Sequence, residues 1–132
     1  MFFLGKPKNQ ANAAMTSSAR GQAGEDQALA YLQSKGLRLL ERNYRTPGRT
    51  RGEIDLILQE SDGTVVFVEV RSRASMAFGG AGASIDAAKC QRVVHTAQHW
   101  LLHHGTHCAC RFDVVVIDGG QLQWLRAAFE GV

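Results

Sequence analysis

Two acidic side chains hold matching positions in a predicted β-hairpin. Residues 53–60 and 64–71 are strand-like runs separated by Ser61-Asp62-Gly63, a turn sequence. With these three residues as the loop, the numbers of paired residues sum to 124, which sets Asp55 across from Glu69. Opposed carboxylates repel unless a cation compensates, and hard oxygen ligands suit Mg²⁺ or Mn²⁺. The hairpin therefore predicts a metal site, whereas a two-residue Asp62-Gly63 turn would shift the register and weaken it.

A third acid, Glu25, shares the apolar stripe of the first predicted helix. Ala28, Leu29 and Leu32 follow it at helical spacing, so its carboxylate is expected to point at the fold rather than at solvent. The alternative is that Glu25 lies in a frayed first turn, where acids favour the helix dipole. The two interpretations differ in whether Glu25 joins the predicted metal site.

Alternation along the hairpin assigns its side chains to two faces. Ile54, Leu56, Leu58, Val66, Val68 and Val70 are predicted on one face, and Asp55, Ile57, Phe67, Glu69 and Arg71 on the other. The same register sets Arg71 across from Glu53. Arg71 thus has two interpretations, a phosphate-binding cation beside the acids or half of a cross-strand salt bridge.

Cations are concentrated around these acids. Residues 35–51 contain six cations and a single acid, Glu41. Together with cations further along the chain they could form a track for phosphates: Arg45, Arg49, Arg51, Arg73, Lys89 and Arg92 are the predicted nucleic-acid contacts. No base-reading motif is present, so recognition would be of backbone or shape. The alternative is a solvated, charge-rich surface.

Histidines and cysteines offer a weaker metal-binding pattern. His95, His99 and His103 recur every four residues, and Cys108 and Cys110 follow. The histidines flank the apolar stripe of a predicted helix, and Cys-x-Cys lacks the usual zinc-ligand spacing. A polar helix face and loop is the favoured interpretation, and zinc binding stays open.

The elements that position these residues predict an α/β fold. The expected order is α-β-β-β-α-β-β, with a mixed central sheet and helices on both faces, because the almost wholly apolar run at residues 65–70 is typical of a strand covered on both sides. The second helix is predicted to be capped by Ser84 and to end at Gly105. Its expected apolar stripe is Ala87, Cys90, Val94, Ala97 and Leu101.

Length and composition limit the class of protein. With 132 residues, 45% hydrophobic and 20% charged, one domain with a packed core is expected, spanning residues 19–132 after a flexible tail at residues 1–18. No apolar run is long enough for a membrane span, and three cysteines suggest no disulfide framework. A soluble cytoplasmic protein without a membrane partner is expected, and its net charge of +3 fits a polyanionic partner.

Five ordered motifs resemble a known family. They are Gly24-Glu25-Asp26, Glu41-Arg42-Asn43-Tyr44-Arg45, Gly52-Glu53-Ile54-Asp55-Leu56-Ile57, Val66-Phe67-Val68-Glu69-Val70-Arg71-Ser72-Arg73 and Arg111-Phe112-Asp113-Val114-Val115. Across residues 20–129 the chain resembles the YraN-like family of uncharacterised bacterial proteins. That family is distantly similar to Holliday-junction resolvases in the PD-(D/E)xK, restriction-endonuclease-like nuclease superfamily.

The resemblance implies a role for each matching residue. Asp55 and Glu69 correspond to the metal-binding acids, Glu25 to the helix-borne acid of resolvase-like members, and Arg71 to the motif lysine. It implies an endonuclease using Mg²⁺ or Mn²⁺ on DNA that includes branched forms, with the Val70 carbonyl as a further ligand and a homodimer by analogy. Arg71 departs from the motif, because a guanidinium stays charged and cannot act as a base. A non-catalytic nucleic-acid-binding module and a protein-interaction scaffold are the alternatives.

Overall fold

The computed structural model describes residues 17–48, 52–72, 86–105 and 108–130. Their elements follow the predicted order: α1 (Ser17–Ser34), β1 (Arg38–Arg45), β2 (Glu53–Gln59), β3 (Val65–Ser72), α2 (Ala87–His103), β4 (Cys110–Asp118) and β5 (Gln121–Phe129). The α/β fold class is therefore confirmed. Helix α1 starts two residues inside the predicted tail, and the rest of that tail lies outside the described residues.

The five strands form one mixed sheet in the order β1-β2-β3-β4-β5. Neighbours are antiparallel except β3 and β4, which are parallel. A parallel pair needs a long crossover connection, and α2 lies within it. The carboxyl ends of β3 and β4 consequently meet at one edge of the fold.

Each face of the sheet packs against one helix. On the α1 face, Ala28 and Leu32 pack with Leu56, Val68 and Val115. A second cluster lies on the α2 face, and it contains Ile57, Val65, Phe67, Val93, Ala97, Trp100 and Phe112. The prediction of helices on both faces is confirmed, since neighbouring strand residues belong to different clusters.

The hairpin has the predicted register. Four pairs, from Gln59↔Val65 to Leu56↔Val68, sum to 124, and the Glu60 amide donates to the Thr64 carbonyl at 2.9 Å. Gly63 takes a φ of 96°, a conformation that favours glycine. The three-residue loop, and not the two-residue alternative, connects the strands.

Three predictions about local structure are wrong. Ile54 lies in the α2 cluster rather than with Leu56, because strand alternation breaks where the described β2–β3 pairs end. The cap of α2 is Asp86, whose carboxylate accepts from the Lys89 amide at 2.8 Å, while the predicted cap Ser84 lies outside the described residues. The predicted apolar stripe of α2 is wrong as well, because the most buried residues of the helix are Val93, Thr96, Ala97 and Trp100.

The Arg111-Phe112-Asp113 motif links the start of β4 to the second half of β5. Asp113 is fully buried and accepts from Arg111 Nε at 3.0 Å, Trp124 Nε1 at 2.9 Å and the Ala127 amide at 2.8 Å. Arg111 also contacts Glu60 of the hairpin turn. Every contact of this carboxylate is to a structural neighbour, so the motif stabilises the sheet.

Among the described helices, none has the length and apolar character that a membrane span requires.

Candidate metal and phosphate site

Asp55 lies where the described pairing of β2 with β3 stops. Continuing the hairpin register would pair Ile54 with Val70, but the Val70 amide donates to Asp55 Oδ2 at 2.8 Å. A side-chain carboxylate thus replaces a backbone acceptor at this point of the ladder. The bond fixes the Asp55 carboxylate beside β3, close to the position that Glu69 occupies.

Glu69 is buried, with 7% of its surface exposed, and two cations meet at one of its oxygens. Arg71 Nη1 lies 3.5 Å from Glu69 Oε2, and Lys89 Nζ lies 3.4 Å from the same atom. Arg71 comes from the same strand and Lys89 from the first turn of α2. The sequence pattern placed Lys89 only in a phosphate track, and its contact with Glu69 depends on how the crossover docks α2.

The electrostatics of Asp55 reflect this crowding. Burial, the largest cause, and the negative charges of Glu69, Glu25 and Glu53 together raise the pKa of Asp55 to about 8, against the hydrogen bond from the Val70 amide, which lowers it. An aspartate is ionised well below neutral pH under ordinary conditions. In the protein alone Asp55 therefore retains its proton at neutral pH, and a cation at this position would favour the ionised carboxylate.

Glu25 lies in the middle of α1, because the helix begins at Ser17. The interpretation that places it in a frayed first turn is therefore wrong. Its carboxylate accepts from Asn43 Nδ2 at 2.9 Å and lies 3.5 Å from Arg42 Nη2, and only 14% of the side chain is exposed. Glu25 is thus aimed at the fold, held by β1, and near enough to Asp55 to raise its pKa.

Asn43 also contacts the site, although it is not among the residues that the sequence predicts there. It takes a left-handed φ of 51°, which asparagine tolerates better than most residues, and it donates to Glu25. The β1–β2 register, with Arg42↔Leu56 and Tyr44↔Ile54, sets it opposite Asp55. Asparagine within a predicted strand was the available signal, because this residue type is uncommon in strands and often marks a special conformation.

The oxygen donors fit a small divalent cation. Asp55 and Glu69 are hard carboxylate ligands, and Mg²⁺ commonly takes one or two carboxylates and fills its other positions with water or phosphate oxygens. Within the described ranges no group of three or more histidine, cysteine, aspartate or glutamate residues could hold a metal ion. Glu25 is consequently not a third ready ligand, since Asn43 and Arg42 contact its carboxylate. The Val70 amide contacts Asp55, and its carbonyl stays a predicted ligand.

Three of the predicted phosphate contacts line one cleft. Arg45, Lys89 and Arg92 surround a volume of about 530 Å³ on the α2 side of the acids, together with Thr46, Gly48, Gly52, Glu53 and Val93. We call this the basic cleft. The other three predicted contacts, Arg49, Arg51 and Arg73, lie outside the described residues. Arg71 lines a different cleft of about 310 Å³ on the α1 side, with Gly24, Val70 and Ile117 among its walls.

Among the histidines of α2, His99 takes part in the packing of β1 against the helix. His99 Nδ1 hydrogen bonds with the Tyr44 hydroxyl, and its ring stacks on that of His103. Partial burial and the neighbouring His103 and His95 lower the pKa of His99. Cys108 and Cys110 are free thiols. None of these residues belongs to a metal-binding cluster within the described part of the chain.

Comparison with known proteins gives matches over most of the chain. The profile of the Uncharacterised protein family UPF0102 matches residues 24–117. A UPF0102 protein from Acidovorax sp. (strain JS42) is 62% identical over 130 residues, covering 98% of each chain. A UPF0102 protein from Paracidovorax citrulli (strain AAC00-1) is 64% identical over 115 residues, covering 87% of this chain and 85% of the relative. The matched residues include Glu25, Asp55, Glu69 and Lys89.

Proposed function

Because this chain belongs to the uncharacterised protein family UPF0102, whose name assigns no activity, we propose a function from the site itself. We propose that the protein is a Mg²⁺- or Mn²⁺-dependent endonuclease that hydrolyses phosphodiester bonds in DNA, including branched DNA. The family membership confirms the YraN-like resemblance at the level of the family. The activity rests on the arrangement of Asp55 and Glu69.

The observation that carries the proposal is the pair of carboxylates at the end of the hairpin. Asp55 is fixed by the Val70 amide at 2.8 Å, Glu69 is buried, and each charge disfavours the other. Two close carboxylates that disfavour each other's ionised form are typical of a ligand-binding arrangement rather than a stabilising one, and they favour a ligand that neutralises them. The ligand with matching charge and donor preference is a divalent cation.

In the proposed reaction, Asp55 and Glu69 hold the cation, with the Val70 carbonyl as a further ligand. When bound, Mg²⁺ or Mn²⁺ supplies activation of water and neutralisation of charge on the scissile phosphate. Glu25 orients the site through its charge and its contacts with β1. Arg71 stays protonated, so its role is to bind phosphate and stabilise the added charge of the transition state.

One observation favours a second function, a nucleic-acid-binding module without turnover. Both Arg71 and Lys89 lie within 3.5 Å of Glu69 Oε2, so this carboxylate is neutralised without a metal. The module would retain the basic cleft and lose catalysis because Arg71 replaces the motif lysine. Cleavage assays separate the two functions.

The test is incubation of the purified protein with branched, single-stranded and duplex DNA in Mg²⁺ or Mn²⁺. We expect metal-dependent cleavage that Asp55→Asn and Glu69→Gln abolish. The matched control is Asp62→Asn, the same substitution at the opposite end of the hairpin, where the Asp62 carboxylate accepts from the Thr64 amide at 2.9 Å. Calorimetry should show that Mn²⁺ binds the wild type and Asp62→Asn, and unchanged Mn²⁺ affinity in Asp55→Asn and Glu69→Gln would contradict the metal site.

Arg71 distinguishes the enzyme from the binding module. In a working enzyme, Arg71→Lys should retain most cleavage, and Arg71→Ala should lose about tenfold to a thousandfold, as is typical when one transition-state charge donor is removed. Cleavage that appears only in Arg71→Lys would show that the arginine blocks turnover. Cleavage absent from both the wild type and Arg71→Lys would favour the module.

A further inference from the structure

The basic cleft beside the acids suggests how the substrate strand enters. We propose that the cleft receives one unpaired strand of nucleic acid, bound by its phosphates, so that the strand reaches Asp55 and Glu69 separated from its complement. This inference deepens the proposed function, on which it rests for the identity of the substrate. It specifies the form of nucleic acid, which the acids alone leave open.

The charges in the cleft favour a polyanion. Arg45 is 74% exposed and lies 3.4 Å from Glu53, the only acid among the described residues that line the cleft. Arg92 is exposed and forms no ion pair with another described residue. Lys89 lies between them and Glu69. The described lining of the cleft therefore carries excess positive charge, and Lys89 connects it to the candidate metal ligand Glu69.

The size and rigidity of the cleft favour a single strand. The cleft has a volume of about 530 Å³, in the range of small-molecule sites, so a single strand could enter it whereas a double helix could lie only across its mouth. Two hydrogen bonds between Thr46 and Gly52 close the loop at its rim. Gly52 lies so near α2 that an added Cβ would be 1.7 Å from Thr96 Oγ1. Gly52 and α2 are thus in direct contact, so this contact fixes the width of the cleft on the side where the two meet.

The lining also indicates how the strand is recognised. Sites that bind single strands by base stacking place aromatic side chains along a basic groove. Among the described residues that line the cleft, none is aromatic, whereas three are cations. Recognition should therefore be of the phosphate backbone, independent of base sequence and strongly dependent on salt.

The test is direct binding in EDTA, where cleavage cannot occur. Fluorescence anisotropy would compare a short labelled single strand of mixed sequence with the blunt duplex of that sequence. We expect tighter binding of the single strand, and a slope of log K against log salt that decreases by about 0.7 in Arg92→Ala and again in Arg45→Ala, the value for one phosphate contact. Arg38→Ala is the matched control, because Arg38 pairs with Gln59 near the hairpin turn, away from the cleft.

Three results would overturn the inference. One is equal affinity for duplex and single strand. Another is an unchanged salt slope in both Arg45→Ala and Arg92→Ala. The third is displacement by polyglutamate as effective as by unlabelled strand, which would indicate an acidic protein as the partner. Mn²⁺ calorimetry without nucleic acid tests the proposed function separately, so failure of either idea can be recognised while the other stands.

Discussion

Asp55 gives the strongest residue-scale prediction, because its carboxylate has an unfavourable position in the metal-free protein. Burial and the charge of Glu69 raise its pKa from 3.8 to about 8. An unfolded chain releases this proton near pH 4 and the folded protein retains it, so the group lowers stability progressively as the pH rises from about 4 to 8. The loss is complete above that range.

Asp55→Asn removes the charge and keeps an oxygen that can accept from the Val70 amide. We expect this variant to be more stable than the wild type by roughly 1–3 kcal/mol at pH 8 and by almost nothing at pH 4. Urea unfolding at the two pH values measures the difference, with Asp62→Asn as control. A gain of equal size at both pH values would show that the carboxylate is not destabilised by its charge. Mn²⁺ should stabilise the wild type and have no effect on Asp55→Asn.

At the scale of elements, the contact of the β1–β2 loop with α2 determines the shape of the basic cleft. Gly52 is buried and has no room for a side chain, because Thr96 Oγ1 occupies the position that a Cβ would need. That hydroxyl donates to the Arg92 carbonyl one turn earlier in the helix. The loop and the helix that carries Lys89 and Arg92 are therefore held at a fixed separation.

Gly52→Ala should force this contact apart. We expect a loss of about 1–3 kcal/mol in stability, typical of overpacking, and weaker binding of single-stranded DNA. Thr96→Ala removes the clashing hydroxyl, so the double variant should recover part of the stability that Gly52→Ala loses. A double-mutant cycle of urea unfolding measures the coupling. Additive effects of the two substitutions would contradict a direct contact.

Across the whole molecule, the features predicted correctly from the sequence are those set by near neighbours in the chain. The register of the hairpin follows from alternation and a three-residue turn, and the described pairs confirm it as far as Leu56↔Val68, next to the predicted Asp55–Glu69 pair. Alternation failed at Ile54, which lies beyond the last described β2–β3 pair and packs on the α2 face. The residue pattern of a single strand carries no signal for the point at which its pairing with a neighbour ends.

Features that depend on long crossovers were not predictable. The contact of Lys89 with Glu69 requires α2 to dock after the chain leaves β3, and the rotation of the α2 face toward Trp100 depends on the sheet beneath it. The Glu25–Asn43 bond depends instead on how α1 packs against β1 and on the left-handed conformation of Asn43, neither of which the spacing of apolar residues predicts. The homodimer and the bound metal stay predictions.

The hairpin register also has a kinetic consequence. The β2–β3 pairs close across three residues, whereas the pairing of β3 with β4 must wait for the crossover that contains α2. Local contacts form sooner than distant ones during folding, so Asp55 and Glu69 should meet before Lys89 arrives to offset their charge. The folding barrier then includes repulsion that the native state partly relieves. We expect Asp55→Asn to accelerate refolding more than it slows unfolding in stopped-flow measurements. In high salt this acceleration should disappear, because the ions already weaken the repulsion between Asp55 and Glu69 in the hairpin as it forms.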